Sequence, residues 1–293
     1  MGALPLISIL CALAAALLFA CASVAQQSAA SAVPEDGALI STLIRTPRWW
    51  AGLVGDGGGY VMQALALAMG SVLVVQPLIV ASLLFALPLS AKFSGIRITR
   101  SAWSLAILLA AALAVFLVVG DPTEGNENAP WSTWTLPLAL TVAVATVATL
   151  AGLSKLDSNW RALLLGSAAG IFYGVAVAFT KYVTDLFGHG LGGVLTAWQT
   201  WALIASGILG VYLQQRAFQV GPLSASLPAL TIGEPIAAIF LGMTVLGERL
   251  RVDGAALALV TVSVIVMIAA AVGLSRSQAR DTAGVTGPSP VPS

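Results

Sequence analysis

The sequence predicts an all-α polytopic membrane protein of about nine transmembrane helices in a 4+1+4 inverted-repeat bundle. Three observations carry this: an apolar composition with little charge, nine apolar stretches of spanning length, and a duplicated pattern whose copies cross in opposite directions. Of 293 residues, 58% are hydrophobic and 9% charged, against about 25% charge in soluble globular chains. A bilayer core needs about 20 apolar residues per helix. Spans this long and apolar are helices, because lipid cannot satisfy an open sheet edge and barrel strands are shorter and alternate.

The expected spans fall at roughly 4–24, 50–69, 71–91, 102–120, 133–153, 161–182, 194–215, 222–246 and 253–274. The first resembles a signal sequence, ending Ala22-Ser23-Val24-Ala25, or a lipoprotein signal around Leu18-Phe19-Ala20-Cys21. No Lys or Arg precedes Arg45, so the basic leader region is missing and the segment is expected to stay as span one. Cys11 and Cys21 lie ten residues apart on it, roughly 15 Å along a helix, too far to bridge. Spans two and three nearly fuse at Met69-Gly70-Ser71, where a tight turn is expected. The stretch after span four carries Asp121, Glu124 and Glu127 without a basic residue. Span five joins the two copies. Span six carries Gly166, Gly170 and Gly174 at GxxxGxxxG spacing, a close-packing face, and Lys181 at its outer end is expected to snorkel to the surface. From Ser275 the chain, with Gly287-Pro288-Ser289-Pro290, reads as a short disordered tail. Trp49, Trp50, Trp103, Trp131, Trp134, Trp160, Trp198 and Trp201 all stand at or near span ends, as in an aromatic belt.

Charge placement gives orientation. With the N-terminus outside, Arg45, Arg48, Lys92, Arg97, Arg100, Lys155, Arg161, Arg216, Arg276 and Arg280 are inside, and only Lys181, Arg249 and Arg251 are outside. Ten against three is a positive-inside bias.

The duplication runs from Trp50 to Pro77. Trp50, Ala51, Gly59, Gln63, Ala66, Gly70 and Pro77 recur 151 positions later as Trp201, Ala202, Gly210, Gln214, Ala217, Gly221 and Pro228. Roughly two or three such identities in 28 positions would arise by chance. Equivalent helices lie five crossings apart, and an odd offset reverses direction. Spans one and six, aligned as Ala16–Gln27 over Gly170–Lys181, share little beyond small-residue texture. The chain therefore divides into a first repeat at 1–120, an outer loop and linking span at 121–160, a second repeat at 161–274 and a tail at 275–293.

Two acids lie well inside spans. A charge at mid-bilayer costs a few kcal/mol, so each is a functional candidate. Glu234 sits halfway along span eight before Pro235, which removes a backbone donor; Thr231 is a turn earlier, and Ala238 and Gly242 follow on the same face. It reads as a proton- or cation-binding carboxylate, or as a structural Glu at a helix contact. Asp56 lies in Gly55-Asp56-Gly57-Gly58-Gly59, a poor helix former. Asp56, Tyr60 and Gln63 make one polar stripe at i, i+4 and i+7, and Gln199, Ser206, Gly210 and Gln214 make another on span seven. The expected substrate or coupling-ion residues are therefore Glu234, Asp56, Gln63, Gln214, Tyr60 and Thr231, with no catalytic or resident metal site and no cofactor. Enzyme readings fare poorly: His189 is the one histidine, no HExxH occurs, residues 53–56 read Leu-Val-Gly-Asp rather than Gly-x-Gly-Asp, and the acidic loop lacks EF-hand spacing.

In Ala225–Arg249, with Pro228, Glu234-Pro235 and Leu246-Gly247-Glu248-Arg249 followed by Gly254, the chain resembles the EamA-like group of the drug/metabolite transporter superfamily. Pro47-Arg48-Trp49-Trp50-Ala51-Gly52, Gln63-Ala64 and Val74-Val75-Gln76-Pro77-Leu78 are similar to the NIPA-type magnesium transporters within it. The family's Glu-Arg or Glu-Lys pair closing the third span stands here only in the second half, as Glu248-Arg249; the first half has Lys92-Phe93. The resemblance implies a gradient-driven secondary transporter of the cytoplasmic membrane that moves a small molecule or ion by alternating access. Magnesium or another divalent cation is one alternative. A non-transporting scaffold subunit of an envelope complex is another. The expected partners are the solute and the lipid bilayer, with homodimerisation open and no nucleic acid.

Overall fold

The computed structural model describes residues 3–30, 45–94, 98–123, 125, 129–187, 190–221 and 223–286. Glu124, Glu127, Arg97, His189 and the Gly287–Pro290 stretch lie outside the described residues. Eleven helices follow one another: α1 (Ala3–Ala30), α2 (Pro47–Met69), α3 (Val72–Val80), α4 (Ser82–Ser94), α5 (Arg100–Gly120), α6 (Trp131–Gly152), α7 (Ser158–Leu186), α8 (Leu191–Thr196), α9 (Trp198–Val220), α10 (Leu223–Thr244) and α11 (Ala255–Thr286). The described residues contain no strand, only an isolated bridge between Pro122 and Leu250.

Seven segments are long and apolar enough to cross a membrane, and the protein is a multi-pass helical membrane protein. They lie in α1, α3 with α4, α5, α6, α7, α10 and α11. The remaining expected spans, two and seven, correspond to α2 and α9. Each has 23 residues, about 34 Å of helix, so length suffices. Their polar stripes and glycines leave them less apolar than the other seven.

Helix directions follow from what their glycines touch. A Cβ on Gly55 would meet Ala22, one on Gly59 would meet Phe19, and one on Gly70 would meet Ser8, so α1 and α2 are antiparallel. Gly210 faces Tyr173 and Gly221 faces Ser158 and Ala162, so α7 and α9 are antiparallel as well. Gly166, Gly170 and Gly174 lie against Ser226, Leu230 and Glu234 in rising order, so α7 and α10 run parallel with their backbones in close approach. Gly242 meets Val72, which places α3 beside the far half of α10.

The reversal expected at Met69-Gly70-Ser71 is there: α2 ends on an extended Gly70 and Ser71 opens α3. Two buried charges hold it. Lys181 Nζ donates to the Leu67 carbonyl at 2.7 Å, and the Glu248 carboxylate accepts the Val72 and Leu73 amides at 2.8 and 2.9 Å. Lys181 therefore does not snorkel. It is 8% exposed, because α2 ends within the protein and its last carbonyls need a donor there.

Two loops meet at this end of the bundle. Thr123 N donates to the Arg249 carbonyl at 2.8 Å, Arg249 N donates to Thr123 Oγ1 at 2.9 Å, and Arg251 pairs with Asp121 at 3.8 Å. Gly247 takes a φ of +69° just before Glu248, a turn that favours glycine and swings the following carboxylate back under the loop.

The belt expectation fails at Trp134. Its indole is fully buried and stacks on Phe179 at 4.8 Å, with Tyr182 and Trp198 edge-on. Packing against three rings outweighs placement at the lipid surface. The tail expectation fails in part: α11 runs unbroken through Ser275 to Thr286.

Candidate functional site

Polar residues from five helices converge: Asp56, Tyr60 and Gln63 on α2, Gln76 on α3, Tyr173 on α7, Gln214 on α9 and Glu234 on α10. Glu234 stands at the middle of α10, half-buried. The side-chain amides of Gln63 on α2 and Gln76 on α3 approach its carboxyl. Both glutamines are deeply buried, at 3% and 1% exposure. Neither Nε2 completes a hydrogen bond of good geometry among the described residues, so the pair retains donor capacity beside the acid.

Two tyrosines complete the group. Tyr60 Oη lies 2.6 Å from Thr180 Oγ1, joining α2 to α7, and stands within electrostatic reach of Glu234. Tyr173 donates to Gln214 Oε1 at 2.5 Å, joining α7 to α9. Both Glu234 and Asp56 act electrostatically on Tyr173, so that ring stands within reach of both carboxylates. Asp56 is half-buried on α2 and engaged with a partner. Thr231 stands one turn before Glu234 on α10, and its hydroxyl donates to the Leu227 carbonyl of its own helix at 2.8 Å. The second stripe is inward-facing, with Gln199, Ser206 and Gly210 buried on α9.

The local sequence explains the convergence. Gly170 and Gly174 let α7 approach the backbone of α10 beside Glu234, which small residues permit and larger ones prevent. Pro235 follows Glu234 within α10, and Pro77 follows Gln76 within α3. Each of these polar side chains therefore stands on a helix stretch where one main-chain hydrogen bond is missing.

Two members of the group are not marked by the sequence pattern, Gln76 and Tyr173. Gln76 falls within the Val74–Leu78 motif, although an amide in a run of valines and leucines is itself a signal, and Tyr173 stands beside Gly174 of the close-packing face. Glu248, the acid of the Glu-Arg pair that closes a span, stands apart from this group at the reversal between α2 and α3 and is 0% exposed. Burial pushes its carboxyl up to about 7, against the Val72 and Leu73 amides and the Lys181 charge, which favour the ionised form.

A groove of about 900 Å³ lies elsewhere, between α6, α7, α10 and α11, and includes neither Glu234 nor the glutamines. No three of the described His, Cys, Asp and Glu residues gather as metal ligands would.

The chain is 39% identical over 277 residues to an uncharacterized protein of Corynebacterium glutamicum, Cgl0250/cg0304, covering 93% of this chain and 96% of that one. No family model matches the sequence, and no solved structure matches it.

Proposed function

The chain belongs to one family with its corynebacterial relative, and from that premise we propose that both are gradient-driven secondary transporters of the drug/metabolite type. In this reading the chain lies in the cytoplasmic membrane with its N-terminus outside. It moves a small solute by alternating access, and Glu234 exchanges a proton or binds the solute directly. One observation carries the reading: Gln63 and Gln76 from the first half of the chain meet Glu234 from the second, inside the bundle. Solute sites at the interface of two repeats are a recurrent plan in such carriers.

Helix directions support the inverted repeat. Running from α1 through α2, α3 and α10 to α7, the directions alternate except for the parallel last step, which leaves α1 opposed to α7. The expected pairs also share packing. Gly59 faces Phe19 as Gly210 faces Tyr173, and Gly70 faces Ser8 as Gly221 faces Ala162. The same offset of 154 relates both first-helix partners.

The neighbours of Glu234 are amide and phenol groups, with a single carboxylate among them. That set suits a proton or a neutral or zwitterionic solute better than a divalent cation, which takes several oxygen ligands including carboxylates.

Reconstituted liposomes carrying a solute panel, a pH-sensitive dye and a Mg²⁺ reporter test the proposal. The wild type should move at least one solute, and Glu234→Gln should abolish or uncouple that movement, with Asp56→Asn weakening it. Wild-type rates in a well-folded Glu234→Gln protein would remove the carboxylate from the mechanism. A wild type inert to every solute would favour the scaffold reading.

A further inference from the structure

The groove between α6, α7, α10 and α11 has its own chemistry. Along α10 its wall runs from Ala225 to Phe240, about 22 Å of helix. One leaflet of hydrocarbon is about 15 Å deep, half of a core of about 30 Å. The wall is mainly apolar: Ile171, Ile232, Ile236 and Phe240 contribute to it, with the hydroxyls of Thr141 and Ser167 among them. Leu140, Val144 and Ile236 are each more than half exposed, so the groove opens sideways to the bilayer. The Thr141 hydroxyl is engaged with the Pro137 carbonyl.

The charged and amide groups are sorted to one end. Asn159 and Trp160 stand in the first turn of α7, and Arg276 stands in the last stretch of α11. Since α7 and α10 start at this level and α11 returns to it, all three residues lie at one membrane surface. Lys155 and Arg161 flank them against the single acid Asp157. Arg276 is exposed and makes no hydrogen bond or ion pair among the described residues.

We propose that this groove binds an anionic phospholipid from the surrounding bilayer, its acyl chain along α10 and its headgroup held by Arg276 beside Asn159 and Trp160. The volume falls within the range of ligand sites, roughly 300–1,000 Å³. An apolar trough with a cation at only one end matches an amphiphile with a negative head. Basic pockets between spanning helices are where such headgroups dock, and a guanidinium engages a phosphate through two parallel hydrogen bonds. The inference rests on the membrane location alone and stands whether or not the protein transports.

Trp160 provides the readout. The full chain is reconstituted into nanodiscs containing brominated phosphatidylglycerol or brominated phosphatidylcholine at matched mole fractions. Its signal is isolated by subtracting the Trp160→Phe protein. The anionic lipid should quench Trp160 at roughly fivefold lower mole fraction than the zwitterionic one. Arg276→Gln should merge the two curves, and Arg276→Lys should keep them apart. Equal quenching by both lipids in the wild type would mean bulk lipid only and would overturn the proposal. So would quenching by neither, or a preference that survives in Arg276→Gln. Circular dichroism establishes that each variant is folded, and the wild-type comparison decides the matter even if a variant is not.

Discussion

Lys181 and Glu248 hold opposite sides of the same chain reversal, the cation on the Leu67 carbonyl where α2 ends and the carboxylate on the Val72 and Leu73 amides where α3 begins. Each charge meets the helix end whose dipole it complements. They come from different segments of the second half and clamp a turn in the first. Glu248→Ala would leave two buried amides without acceptors, at a cost of about 2–3 kcal/mol, and Glu248→Gln should lose less. The drop should appear as a lower unfolding midpoint in detergent.

The two charges should also be energetically coupled. Lys181→Met and Glu248→Gln combined are expected to destabilise less than the sum of the single changes, by roughly 0.5–3 kcal/mol. Strict additivity in a double-mutant cycle would show that the turn is clamped by two independent caps.

Glu248 gives stability a pH dependence of defined sign. Its folded pKa is raised from 4.5 to about 7, so the folded chain holds a proton that the unfolded chain has released. Its contribution should be fully present below about 4.5 and fall as pH rises to about 7. Unfolding midpoints measured across that window should slope downward in the wild type. That component should vanish in Glu248→Gln.

The α7–α10 crossing predicts a contrast between two glycines. A Cβ on Gly170 would stand 2.5 Å from the Leu230 carbonyl and 3.0 Å from Glu234 N, both backbone atoms that cannot rotate away. Gly170→Ala should cost about 1–3 kcal/mol and displace Glu234, lowering any Glu234-dependent flux. Gly207 on α9 has nothing within 4 Å of its Cβ position. Gly207→Ala should stabilise by about 0.5–1 kcal/mol.

Tyr173→Phe removes the only described donor to Gln214 Oε1 and should cost about 1 kcal/mol. In the liposome assay it should slow transport without abolishing it. An unchanged rate together with the stability loss would assign the phenol to the scaffold.

The helices themselves were legible because apolar length and turn residues are local properties. So were the polar stripes of α2 and α9, whose spacing alone puts Asp56, Tyr60 and Gln63 on one face. Two expectations fail for a shared reason. Lys181 and Trp134 stand near span ends, where sequence position suggests a wet surface, and both are buried, as is Glu248 just beyond another span. In the structure the loops around Asp121 and Arg249 close over that end, and the partners that bury these side chains lie far away in sequence, up to 176 residues for Glu248 and Val72.

Gly59 is pressed by a phenylalanine and Gly210 by a tyrosine, and the two rings occupy corresponding places. An assembly of two identical halves facing opposite ways would have no means of distinguishing the two sides of a membrane. Here a single phenolic oxygen separates the halves at that point: Tyr173 joins α9 through Gln214 and lies within the field of the half-buried Asp56 and Glu234, while Phe19 offers only surface. In the proposed inverted arrangement, a sense of direction enters the molecule through groups that one copy carries and the other lacks, the Tyr173 oxygen among them.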